Sequence, residues 1–167
     1  MKVKYLLLAV TYSVFSLPIL AYSKPFDADA NAILKEDVPC FFILPTTKAL
    51  PPKVSVSILV YDIGGPTTEV WGVYYKTPTI TPSTTQTCIA YDKATLAEEQ
   101  SIGKKLEFSR PYSADIATED FVARINFCLM KTASNQPFLT KTNGQGSCTL
   151  EPLNAHKEST FWQRLFK

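Results

Sequence analysis

Two stretches of the chain alternate strictly between apolar and polar positions, and they set the fold class. In Lys53–Tyr61 (KVSVSILVY), Val54, Val56, Ile58 and Val60 fall on one side, with Ser55, Ser57, Leu59 and Tyr61 on the other. In Asp120–Lys131 (DFVARINFCLMK), Phe121, Ala123, Ile125, Phe127 and Leu129 share one side and Val122, Arg124, Asn126 and Cys128 lie opposite. A period of two buries one face of a β-strand, whereas helical spacing scatters Arg124 and Asn126 into the apolar stripe. Shorter runs of β-branched and aromatic residues predict further strands at Cys40–Leu44, Glu69–Lys76, Thr87–Tyr91 and Ser147–Glu151. The turn chemistry of Asp62-Ile63-Gly64-Gly65-Pro66 joins two of these in a hairpin. Leu106–Arg110 and Tyr112–Ile116 flank Pro111, which predicts an edge strand or one broken by a bulge.

Other stretches break this rhythm. Lys93–Ile102 (KATLAEEQSI) is rich in helix formers and ends at Gly103, which predicts a short internal helix with a glycine cap. Glu158–Lys167 carries Phe161, Trp162, Leu165 and Phe166 at helical spacing, which predicts a short C-terminal helix. Thr77–Gln86, with Pro78 and Pro82 among threonines, reads as a stiff surface loop. Residues 24–37 are mixed and polar and read as an N-terminal arm or short helix. About seven short strands with no βαβ rhythm predict an all-β protein, a β-sandwich occupying residues 38–167 as one domain.

The first residues bear on where that domain works. Lys2 and Lys4 precede an uncharged apolar run from Tyr5 to Leu20, and Ala21-Tyr22-Ser23 offers small residues at a cleavage site before Lys24. That is the anatomy of a secretory signal peptide over residues 1–23, and the run is shorter than the ~20 apolar residues needed to span a bilayer. The expected product is a soluble exported protein in the bacterial periplasm. No cysteine follows the cleavage site to accept lipid, the first being Cys40, so neither a lipid anchor nor a membrane span is expected.

Removing residues 1–23 from the 167 leaves 144, and removing Lys2 and Lys4 leaves 15 basic residues against 15 acidic ones. A neutral chain lacks the basic excess that displaces counterions from nucleic acid, so no nucleic-acid partner is expected. All four cysteines (Cys40, Cys88, Cys128, Cys148) lie beyond the cleavage site, where disulfides persist. Four cysteines permit three pairings that sequence alone does not resolve. Strand order favours Cys128 with Cys148, on strands joined by a glycine-containing loop, and leaves Cys40 with Cys88. The spacing lacks the close Cys-x₂₋₄-Cys pair of a structural zinc site, and no metal or cofactor is expected.

Catalytic constellations are absent from the sequence pattern. His156 is the single histidine and sits in a polar segment beside Lys157 and Glu158; no G-x-S-x-G elbow accompanies it. Glu98-Glu99 and Glu119-Asp120 are adjacent carboxylates, and neighbours on a strand point apart rather than into a shared cleft. Gly144-Gln145-Gly146 lacks the rest of a phosphate loop and reads as a turn. The chain is therefore read as non-enzymatic. Its candidate partner contacts lie on the hairpin: Asp62, Glu69, Trp71 and Tyr74, because aromatic residues bury much area at small entropic cost. The same alternation also reads Trp71 as core, beside Val73 and Tyr75.

The order of motifs resembles a known family. After the signal come Pro39-Cys40-Phe41-Phe42, the alternating strand ending in Tyr61, the Trp71 strand, Thr87-Cys88-Ile89-Ala90-Tyr91, Pro111-Tyr112-Ser113 and Phe121–Leu129. This resembles the small periplasmic immunity proteins, mostly lipoproteins, associated with bacterial type VI secretion, over most of residues 38–130. The resemblance implies an Ig-like β-sandwich that binds a cognate effector toxin and neutralises it by occlusion. The chain departs from that family at the cleavage site, where Tyr22-Ser23-Lys24 stands in place of a lipid-accepting cysteine. The alternative reading is a structural or assembly β-domain of the envelope, like a pilus or adhesin subunit; a small periplasmic enzyme is the third.

Overall fold

The computed structural model describes residues 26–44, 48–94, 97–143 and 145–154. The signal segment, the C-terminal helix expected at 158–167, His156 and Gly144 lie outside the described residues. Among the described residues ten strands follow one another: β1 (Phe26–Lys35), β2 (Val38–Ile43), β3 (Lys53–Asp62), β4 (Thr68–Ile80), β5 (Ile89–Ala90), β6 (Glu99–Gln100), β7 (Pro111–Ala117), β8 (Phe121–Lys131), β9 (Pro137–Thr142) and β10 (Cys148–Pro152). They form one curled sheet in the order β5-β2-β1-β8-β7-β3-β4-β6, with β9 paired to β8 and β10 to β9. The protein is all-β. The seven-strand sandwich of the sequence reading is not what is found, nor is there a helix among the described residues.

Strand β1 makes the sheet continuous. Its first residues run parallel to β8 (Phe26 beside Phe121, Asp29 beside Arg124), and its remainder runs antiparallel to β2. The segment expected as an arm or short helix is thus integral to the sheet. Its period of two is carried by Ala28, Ala30 and Ala32, residues of weak strand propensity, which is why the alternation was faint. Small side chains fit there because Ala30 and Ala32 are buried in the core.

The predicted internal helix is likewise replaced by strand pairing. Glu98 N–H donates to the Tyr74 carbonyl (3.2 Å), Ser101 N–H to Gly72 (2.9 Å) and Lys104 N–H to Val70 (3.0 Å). These bonds, with β6 between them, strap residues 98–104 along the outer edge of β4, a tertiary gain that overrides local helix propensity. Pro111 does not mark an edge either. It opens β7, which lies between β8 and β3, and a proline at the first strand position removes no interior ladder bond. Its carbonyl accepts from Ile63 N–H at 3.1 Å.

The loop expected at Thr77–Gln86 starts late, because β4 continues to Ile80. Val56 pairs with Tyr75 and Val54 with Thr79, so Lys76–Pro78 are bulged against Ser55 alone, and Pro78 is accommodated without a ladder bond. The hairpin of β3 and β4 forms as expected, and the inward residues Val54, Val56, Ile58 and Val60 are buried. Phe127 is packed by Phe41 and Tyr112 (ring centroids 5.6 and 5.7 Å), and Trp71 by Tyr91 (5.1 Å).

Disulfides join Cys40 to Cys88 and Cys128 to Cys148, with Cα separations of 5.4 and 5.7 Å. The first ties β2 to the loop entering β5. The second joins β8 to β10, the strands that flank β9. That intervening strand (PFLTKT) was missed because its apolar residues are few and its first residue is a proline. Two disulfides are compatible with an exported or otherwise oxidising setting. No helix of the described residues is long and apolar enough to cross a membrane.

Candidate functional site

A strand with a buried inner face turns its alternate residues outward, and four adjoining strands do so in register here. On β3 these are Ser57, Leu59 and Tyr61. Leu59 is flanked by Gly72 of β4 and Asp115 of β7, and Tyr61 by Glu69 and Ser113. Asp115 faces Arg124 of β8, and Ser113 faces Asn126. The strands thereby build one polar and aromatic surface over a rigid core.

Two concavities open on this surface, side by side. One, about 390 Å³, is lined by Ser57, Leu59, Glu69, Gly72, Tyr74 and Ser101. Gly72 is buried beneath it: a Cβ there would stand 3.0 Å from Leu59 Cδ2 and 3.1 Å from Glu69 Oε1, so these two side chains lean over its backbone and form the floor. The absence of a side chain in mid-strand lets them approach so closely, with Tyr74 at the rim. Gly72 is held from the side: its N–H donates to Ser101 Oγ at 2.7 Å. The other concavity, about 470 Å³, is lined by Tyr61, Ile63, Ser113, Asp115, Arg124 and Asn126.

Electrostatics fix the side chains of both. Arg124 donates from Nε and Nη2 to the two Asp115 oxygens, each at 2.7 Å, a forked pair that raises the arginine pKa further. Burial pushes the Tyr61 phenol up, with the charges of Asp115 and Glu69 adding and Arg124 opposing. At the rim Lys76 Nζ pairs with Glu99 at 2.6 Å, and this hydrogen bond raises the lysine pKa. Glu98 turns the other way. Its Oε2 accepts from Lys76 N–H (2.7 Å) and its Oε1 from Thr77 N–H (3.0 Å), the amides left over by the β4 bulge. Hydrogen bonding from Thr77, side chain and then backbone, with Lys76 after it, lowers the Glu98 pKa to about 2.

Each hairpin residue singled out in the sequence has a definite place. Glu69 and Tyr74 line the same concavity, and Tyr74 is 39% exposed. Trp71 is 0% exposed and contributes to the core, so as a surface contact it is ruled out. Asp62 builds the turn: Oδ1 accepts from Gly64 N–H at 2.9 Å, and Oδ2 pairs with Arg110. Missing from the sequence reading were Leu59, Tyr61, Gly72, Asp115 and Arg124. Their signal was the off-phase half of the alternation that located the core.

The surface offers hydroxyls, carboxylates and aromatic rings but no nucleophile paired with a base. Among the described residues, no group of three or more His, Cys, Asp or Glu is placed to hold a metal ion. Glu119 and Asp120 are exposed at the β7–β8 turn. A third concavity, about 370 Å³ and more apolar, is lined by Val38, Pro39, Tyr91, Lys104, Leu106 and Phe108. Comparison with known proteins finds no matching family model, no matching curated protein and no matching solved structure.

Proposed function

We propose that the chain is an exported immunity protein that binds a type VI secretion effector toxin and neutralises it by occlusion. The observation that carries this reading is the part-exposed outer face of β4-β3-β7-β8, with Leu59, Tyr61 and Tyr74 set in it and two concavities beside them. Contacts carried on paired strands need little ordering on association, so more of the contact energy appears as affinity. The motif order from Pro39 to Leu129 supplies the family resemblance. In this reading residues 1–23 are removed, and the protein acts free in the periplasm because Tyr22-Ser23-Lys24 gives no lipid attachment.

Neutralisation at nanomolar Kd requires about −12 kcal/mol. A standard interface removes about 800 Å² from each partner, an area compatible with a patch of four strands. The deciding experiment immobilises the oxidised 24–167 protein and passes over it the product of the adjacent open reading frame. A one-to-one complex that abolishes that product's toxicity supports the proposal. No complex, with toxicity unrelieved on co-expression, sinks it.

A second reading, an envelope assembly domain, is favoured by one observation. Strand β10 has β9 on one side and, among the described residues, no strand on the other, and its Leu150 is 80% exposed. Such an edge accepts an added strand. Sedimentation of the oxidised protein separates the readings: an isolated monomer up to high concentration counts against assembly, and concentration-dependent oligomers count for it.

A further inference from the structure

The outer face carries a charge that the whole chain does not. Beyond residue 23 acidic and basic residues balance at 15 each. On the face, Glu69 stands beside Tyr61 and Glu99 beside Tyr74, with Asp115 between β3 and β8. Asp27 and Asp29 extend the same side along β1, in register with Val122 and Arg124. Against these stand Arg124 and Lys76, already taken by Asp115 and Glu99, and Lys53, exposed at the start of the same side of β3. Lys104 approaches from the edge strap, and its Nζ lies 3.4 Å from the Glu69 carbonyl oxygen rather than on the carboxylate. Asp27, Asp29 and Glu69 are exposed and make no salt bridge among the described residues. Five carboxylates thus face four cations, and the surplus on this side is one negative charge, with Asp27, Asp29 and Glu69 unpaired against Lys53 and Lys104.

The depression at Gly72 gives that surplus a shape. Glu69, Leu59 and Tyr74 line it together: an exposed carboxylate, an isobutyl group leaning over the buried Gly72 and a part-exposed ring. A guanidinium can rest on the apolar floor, stack on the ring and reach the carboxylate with its fork of donors. Lys76 Nζ already lies 6.0 Å from the centroid of that ring, so the ring face accepts cations.

We infer that the partner of this face is a protein presenting a basic surface, with an arginine side chain seated over Leu59 between Glu69 and Tyr74. The inference rests on the immunity reading for the kind of occupant and on charge complementarity for its chemistry. An acidic sheet face that covers a basic cleft also speeds encounter, which suits a protein that must intercept a toxin.

The first test uses tetra-arginine peptide as the probe and amide chemical shifts of the oxidised 24–167 protein as the readout. The expected result is saturable shifts confined to Leu59–Tyr61 and Glu69–Tyr74, with tetra-glutamate giving none. Glu69→Gln with Gly72→Ala weakens the peptide about tenfold; the added methyl presses on the flexible ends of Leu59 and Glu69 and touches Ser101 Oγ at 3.7 Å, and a retained spectrum verifies folding. Shifts scattered over the surface, equal response to tetra-glutamate, or unchanged binding by the double variant overturn the inference.

The second test measures the adjacent-gene effector. Glu69→Lys slows its association about tenfold or more at low salt and much less at high salt. A wild-type complex indifferent to Glu69 and to salt removes the basic-partner inference and leaves immunity standing. A face that binds tetra-arginine but not the effector removes immunity and keeps the basic-partner surface.

Discussion

Strand β3 presents two chemistries on one backbone. Its inward residues Val54, Val56, Ile58 and Val60 are buried against Trp71 and the β8 aromatics, whereas its outward residues Ser55, Ser57, Leu59 and Tyr61 remain part-exposed. The inner set is interchangeable in kind, all branched aliphatics of similar size. The outer set is mixed, and each member differs in what it offers: a hydroxyl, an isobutyl group, a phenol. Folding requires only the first. The second is free to be chosen for recognition, and the alternation of a strand keeps the two selections apart by one residue.

That separation is open to attack from both sides. Trp71→Ala removes a fully buried indole from the inner face and is expected to cost about 3–5 kcal/mol, read from urea unfolding. Tyr74→Ala, three positions along the same strand, is expected to cost less than about 1 kcal/mol while weakening partner binding. Equal losses from the two variants would end the contrast between the faces.

Next in size, the two disulfides should differ from each other. They close segments of 48 and 20 residues. The chain-entropy estimate gives about 4 kcal/mol for Cys40–Cys88 and about 3 kcal/mol for Cys128–Cys148. Paired Cys→Ser variants compared by thermal unfolding check the order; a larger loss at the shorter segment would show that the denatured-chain account fails here.

A smaller effect tests the edge of the outer face. The folded pKa of Glu98, about 2, lies below its ordinary 4.5. Its stabilisation is therefore complete above pH 4.5 and is lost as pH falls through about 2. Glu98→Gln should lower the Tm modestly at neutral pH and flatten the Tm profile between those limits. An unchanged slope would mean that the bulge amides of Lys76 and Thr77 do not depend on the carboxylate.

How far the sequence revealed this arrangement depended on whether a signal was local. The β3–β4 hairpin and β8 were legible because each alternates strongly and its turn residues are explicit. Strand β1 was not: its apolar positions are alanines, and its partner β8 lies far along the chain. The helix expected over Lys93–Ile102 gives way to the 98–104 strap because the pairing with β4 is a tertiary fact that composition does not carry. Of the candidate surface, Glu69 and Tyr74 were visible as hairpin residues. Asp115 and Arg124 were not, since their meeting depends on the β7–β8 register.

The parallel joint between β1 and β8 also imposes an order of events on synthesis. Asp27 and Asp29 leave the ribosome among the first residues, yet the strand they pair with begins only at Phe121. For most of the chain's emergence that half of β1 has no neighbour, and the long closure makes the joint a late step. The rim of the outer face is therefore completed only once β8 has emerged, so a product truncated or stalled before Phe121 would lack it.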